Sequence, residues 1–199
     1  MRLRILHDGH RPRQRMALRM IRWTSGTAPD PVVATMLYRP DLFGRAFSRF
    51  LVAVMRGPSE WSAGERELFA AFVSRLNSCP FCAGIHSGMV EHNLADGMLE
   101  RLDNWRDGTL PPRLSTTLGL LEKVTLHADD VGAQDIAAVR ETGVSDEAIR
   151  QALYVCSVFN IINRVANALD FGWETEADRL KLVKGLHRVQ YRVPSFLLG

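Results

Sequence analysis

Residues 65–86 read ERELFAAFVSRLNSCPFCAGIH, and the order of residue types in this stretch decides how the chain folds. Up to Leu76 the apolar residues Leu68, Phe69, Phe72, Val73 and Leu76 recur at helical spacing. Asn77-Ser78 breaks that pattern, and Cys79-Pro80-Phe81-Cys82 follows, with proline suited to a first helical position. The spacing predicts Cys79 at a helix N-cap and Cys82 in the first turn, where free N–H groups and the positive dipole end stabilise a thiolate. Cysteines three apart on a helical turn have Cα atoms roughly 5 to 6 Å apart, within reach of a disulfide. His86 lies four residues beyond Cys82 on the same helical face and is placed to take the thiol proton. A base so placed needs a group that holds its tautomer, usually a carboxylate, and Glu67 is the candidate. Glu67 sits off the apolar stripe, over Ala70, Ala71 and Ser74, and the cysteine helix carries Ala83, Gly84, Ser87 and Gly88. Small residues on both helices let them pack closely enough to bring Glu67 to His86.

Glu67, Cys79, Cys82 and His86 together resemble the E-x11-C-x2-C-x3-H signature of the alkyl hydroperoxidase D (AhpD) group within the carboxymuconolactone decarboxylase superfamily. Arg39-Pro40-Asp41-Leu42, Gly57-Pro58-Ser59-Glu60 and the run from Phe159 to Arg164 are similar to the peroxidase-related branch, so the resemblance covers roughly residues 30–172. AhpD enzymes often carry a histidine between the cysteines; here that position is Phe81, again as in the peroxidase-related branch. The resemblance implies an all-α, AhpD-like multi-helix bundle with the CxxC motif at the N-terminus of a core helix. It also implies a thiol peroxidase in which Cys82 attacks a hydroperoxide and Cys79 resolves the product to a disulfide. No prosthetic group is then needed, a thiol electron-donor protein restores the dithiol, and the subunits form a homo-oligomer. Local physics leaves the order of the two cysteines open, because an N-capping Cys79 is the more exposed thiol in a thioredoxin-like arrangement.

The 199 residues are 46% hydrophobic and 24% charged, as expected of one globular domain with a real core. The resemblance implies an AhpD-like core over 30–172 within one domain, with a basic N-terminal helical arm over 1–29 and a C-terminal arm over 173–199. No apolar run approaches the roughly 18 residues that span a bilayer, and no uninterrupted apolar segment follows the first arginines. These features predict a cytoplasmic protein that binds no membrane. Two of only three cysteines form the CxxC pair, which in a reducing compartment reads as redox-active or metal-binding. Residues 1–22 hold seven arginines against Asp8 alone. Met16, Met20 and Trp23 share one helical face there and Arg15, Arg19 and Arg22 another, so the segment reads as an amphipathic helix packed on its own protein. No nucleic-acid-binding motif accompanies the charge.

In chain order, helices are predicted from Val32 to Tyr38, from Asp41 up to Gly57-Pro58, and from the capping box Ser62-Ala63-Gly64-Glu65 onward. The core stripe of the second is expected at Leu42, Phe43, Ala46, Phe50 and Val54. After the turn-forming segment 107–112, further helices run over 114–127, 131–141 and 146–168, the last capped by Ser145. Cys156 reads as a buried small hydrophobe. The polar stripe Asn160, Asn163, Arg164 and Asn167 reads as interhelical hydrogen bonding in preference to a pocket lining. His7, His10, His92, His127 and His187 fall at presumed ends or surfaces and receive no role. The segment from Leu180 to Gly199 suggests an arm that packs on another subunit. The rival to a peroxidase is a zinc site built from Cys79, Cys82, His86 and Glu67, or a non-enzymatic redox-sensing helical oligomer.

Overall fold

The computed structural model describes residues 1–194, 197 and 198, and among them every regular element is helical. In order these are α1 (Ile5–Asp8), α2 (Pro12–Ser25), α3 (Pro31–Tyr38), a π-helical turn (Pro40–Gly44) and α4 (Arg45–Arg56). Then come α5 (Ala63–Leu76), α6 (Pro80–Asn93), α7 (Met98–Asp103), α8 (Pro112–Leu126), α9 (Ala133–Glu141), α10 (Asp146–Leu169) and α11 (Glu176–Val189). The chain divides into two compact units, one made of Met1–Arg56 with Val165–Gly199 and the other of Gly57–Arg164.

In the first unit Asp30 caps α3, its carboxylate accepting from the Val32 N–H at 2.7 Å. The α-helix expected from Asp41 begins instead as the π-helical turn, in which the N–H groups of Phe43 and Gly44 both reach the Arg39 carbonyl. The wider turn seats Gly44 against α3 so closely that a Cβ there would lie 2.2 Å from the Met36 carbonyl oxygen. One extra residue in the turn rotates everything after it, and the buried positions of α4 are Phe47, Ser48, Leu51 and Met55. The stripe expected at Leu42 and Ala46 therefore faces outward, with Leu42 73% exposed, while Phe43, Phe50 and Val54 are half-buried.

The expected packing face of α2 is also turned out, with Met16, Met20 and Trp23 at 67%, 54% and 85% exposure. The helix docks through Gln14 and Ala17 instead. Ala17 is small enough to pack in one cluster with Leu37, Leu197 and Leu198. In that cluster Leu197 and Leu198 of the tail are buried against their own chain; Ser195, Phe196 and Gly199 lie outside the described residues. His10 is not at a surface. It is buried, with Nε2 2.8 Å from the Ala34 carbonyl and its ring edge-on to Tyr38, because α3 offers it a backbone acceptor.

The second unit is organised on α5, whose residues from Arg66 to Ser74 are all buried. Fully burying Leu68 or Phe69 contributes about 1.5–3 kcal/mol each. Its start is closed by the reciprocal bonds of Ser62 and Glu65, at 2.7 and 3.2 Å. Just before it, Trp61 stacks edge-on to Phe69 and donates its indole N–H to the Ala148 carbonyl at 2.7 Å, which holds the entry to α5 on α10. Gly64 allows the hairpin of α5 and α6 to close at its far end, where a Cβ would meet the Leu94 side chain at 2.5 Å. α8 starts at Pro112, inside the segment read as a loop, because its proline suits a first helical position. α10 has the length and composition of a bilayer-crossing helix, but Ala152, Val155 and Phe159 on it are buried in protein.

Candidate functional site

Three residues, Asn77, Ser78 and Cys79, join α5 to α6. Cys79 N–H bonds the Ser74 carbonyl and Ser78 N–H the Arg75 carbonyl, each at 2.9 Å, the two bonds of a Schellman motif. Its left-handed position is filled by Ser78, at φ 49°, where glycine is the usual choice. The residue after it is Cys79, which is at once the last partner of α5 and the N-cap of α6, with Pro80 following at the first helical position. The Schellman turn thus delivers the first cysteine to the amide-rich end of α6.

Both thiols are reduced and buried, Cys79 at 2% and Cys82 at 3% exposure. The Cys82 thiol donates to the Cys79 sulfur, and this bond, opposed by burial, holds the Cys79 pKa down to about 7. The amides of Cys82 and Phe81 and the side chain of Asn163 act in the same direction. Cys79 makes no geometrically complete capping bond, so the amides act on its sulfur as aligned dipoles at the helix start.

On the next turn of α6, His86 Nδ1 lies 2.7 Å from Glu67 Oε2 on α5, with the two residues 5% and 0% exposed. Glu67 stands in the wholly buried stretch of α5 and meets α6 at its middle, where His86 lies. A carboxylate only accepts, so Nδ1 carries the proton and Nε2 is the basic nitrogen. Phe159 of α10 stands edge-on to the imidazole at 4.5 Å between centroids and fixes the plane of the ring. The carboxylate, the imidazole and the thiol pair all come from α5 and α6 of the one unit. Such an arrangement can take a proton at Nε2 and cycle two sulfurs between dithiol and disulfide.

No family model matches the sequence, and neither does any curated protein. The fold does have solved counterparts. The chain is similar to an uncharacterized peroxidase-related protein from Silicibacter sp. TM1040, at 26% identity over 82% of this chain and 86% of that one, with a TM-score of 0.71. It is similar also to the alkylhydroperoxidase AhpD core of a peroxidase-related protein from Ralstonia eutropha JMP134, at 24% identity over 87% and 92% of the two chains, with a TM-score of 0.72. The chain has an AhpD-like fold.

In this AhpD-like chain one group beside the thiols was not assigned to the site from sequence. Asn163, read there as an interhelical hydrogen-bonding residue, is 0% exposed, bonds Ser74 Oγ at 3.1 Å and acts on the Cys79 sulfur. The signal was a polar residue on the buried side of an apolar helix, but spacing within α10 cannot say which other helix end that side meets. Asn77 joins it, donating to Asn163 Oδ1 at 3.1 Å and to Asn160 Oδ1 at 3.2 Å. Cys156 is buried, with its thiol pKa pushed up by desolvation, and it stays protonated. For zinc, Glu67 and His86 would have to turn to a common point, whereas they bond each other. Among the described residues no three side chains of histidine, cysteine, aspartate or glutamate converge as a ligand set.

Proposed function

We propose that the chain is a thiol-dependent peroxidase that reduces a hydroperoxide through the Cys79/Cys82 pair, with His86 as base and Glu67 orienting it. The observation that carries this reading is the buried 2.7 Å bond between His86 and Glu67, one helical turn from Cys82. The descriptions of the two structural relatives as peroxidase-related agree with it. Nε2 of His86 takes the Cys82 proton, directly or through one water, and the sulfur attacks the outer oxygen of the O–O bond. That bond breaks, the leaving alkoxide or hydroxide takes the proton from the imidazolium, and Cys82 is left as a sulfenic acid. Cys79, already substantially ionised near neutrality, then attacks the sulfenic sulfur. The S–S bond forms as the S–O bond breaks, and the departing hydroxide is protonated to water by solvent. A thiol electron-donor protein supplies two electrons to reopen the disulfide.

The order of the two sulfurs has a physical basis in this reading. Donors already hold the charge on Cys79, which lowers its reactivity toward peroxide as it lowers its pKa. Cys82 stands one helical turn from the base, and Cys79, at the N-cap, stands two. The test is the pair of single variants. Cys79→Ser should react once with peroxide, stop at a sulfenic acid trapped by dimedone, and over-oxidise in excess peroxide, while Cys82→Ser should hardly react. A faster Cys82→Ser protein reverses the two roles, and a parent protein whose thiols do not respond to peroxide overturns the peroxidase reading.

A further inference from the structure

The polar stripe of α10 includes an exposed cation, Arg164, from which a run of side-chain amides leads to Ser74, the residue whose carbonyl holds the Cys79 N–H. Arginine can only donate. Its Nη1 reaches both the carbonyl oxygen and Oδ1 of Asn160 at 2.7 Å, so Asn160 must turn its oxygen toward Arg164 and its nitrogen toward Cys156 Sγ and Thr125 Oγ1, at 3.2 and 3.3 Å. The same Oδ1 accepts from Asn77 Nδ2, so the Asn77 amide nitrogen faces α10 and spends its second hydrogen on Asn163 Oδ1. Asn163 is thereby left with its oxygen toward Asn77 and its nitrogen toward Ser74 Oγ, on the residue whose carbonyl holds the Cys79 N–H. Turning any one of these amides round would set nitrogen against nitrogen, oxygen against oxygen, or Arg164 against a donor.

We propose that Arg164 fixes the direction of this run of amides, so that Asn163 presents an N–H group to the Cys79 sulfur and stabilises it as an anion. In this proposal Asn163 is the donor to the sulfur, and Asn160, Asn77 and Arg164 are positioning residues. Three helices contribute, since Asn77 ends α5, Cys79 starts α6 and the others stand on α10. The ionisable groups on the three helices that meet here are Cys82 and His86 on α6, Glu67 on α5, bonded to His86, and Arg164 on α10, bonded to Asn160. The lowering of the Cys79 pKa includes a contribution from Asn163, in keeping with the geometry. The inference rests on the peroxidase reading only for its purpose; the anion it describes exists without peroxide.

The experiment measures alkylation of Cys79 by iodoacetamide against pH in the reduced full-length protein, with the modified residue located by peptide fragmentation and no peroxide present. Asn163→Ala should move the midpoint upward; a rise of one unit from about 7 cuts the thiolate at pH 7 roughly fivefold. Arg164→Met should shift it in the same direction by less, and Arg164→Lys, also a pure donor, should restore most of the parent profile. Arg164 is exposed, so its variants keep the test open should the buried Asn163→Ala protein not fold. A folded Asn163→Ala protein with the parent midpoint overturns the proposal. So does an unchanged Arg164→Met profile, which removes the cation from any part in it. A clear shift in a protein that never consumes peroxide would sink the peroxidase reading while leaving this one standing.

Discussion

Glu67 shows how much a single spacing can carry. Eleven residues separate it from Cys79, and that interval, with small side chains on both helices, was enough to place a carboxylate against His86, where the structure has it at 2.7 Å. Glu67→Gln should keep the fold and slow oxidation of Cys82 by roughly tenfold or more, because a neutral amide does not stabilise the imidazolium formed on proton transfer. Stopped-flow peroxide kinetics that match the parent would return Glu67 to a purely structural part. Cys79 gives a second expectation. Its folded pKa of about 7 lies below the ordinary thiol value of 9.0, so the folded state gains stability as pH rises across that window and loses it as pH falls through 7. Between pH 7 and 9 the melting temperature of Cys79→Ser should therefore fall relative to the parent as the pH increases, and a constant difference would argue against an ionised Cys79. Asn163 was legible in the sequence only as a polar residue in an apolar helix. Its part at the thiol depends on where the far end of α5 lies, which no periodicity within α10 encodes.

The helices themselves were largely written in the pattern of apolar residues and caps, and their phase was not. The turn at Pro40–Gly44 is the instructive case, because period counting assumes 3.6 residues per turn and a single wide turn displaces every later position by one. The expected face of α4 was thus rotated onto Phe47, Leu51 and Met55. Gly44→Ala should cost about 1–3 kcal/mol in urea denaturation, since its methyl group would meet backbone rather than a movable side chain; a loss within measurement error would mean that α3 and the turn can part easily. The Schellman turn gives the opposite sort of test. Ser78→Gly should change stability by less than about 1 kcal/mol, as strain relief offsets the added freedom of the unfolded chain. Ser78→Val, with a branched side chain at φ 49°, should lose about 1–2 kcal/mol and raise the Cys79 pKa by loosening the start of α6.

For the molecule as a whole, the sequence indicated an all-helical AhpD-like fold, and its solved counterparts agree. It misjudged which faces are spent inside the chain: Met16, Met20, Trp23 and Leu42 are all more than half exposed. Large apolar residues left outside in this number favour association, and light scattering at micromolar concentration should give a mass above the 22.4 kDa of one chain. A Trp23→Glu, Leu42→Glu double variant should lower that mass, whereas a parent protein at 22.4 kDa at every concentration would remove the expectation of an oligomer. The thiols, imidazole, carboxylate and amides of the candidate site, by contrast, all fall between Gly57 and Arg164. That continuity bears on descent. A thiol site written in one uninterrupted stretch of gene can stay intact while the coding sequence on either side is lengthened, shuffled or replaced, so lineages that share it are free to diverge most in the parts that decide what it meets.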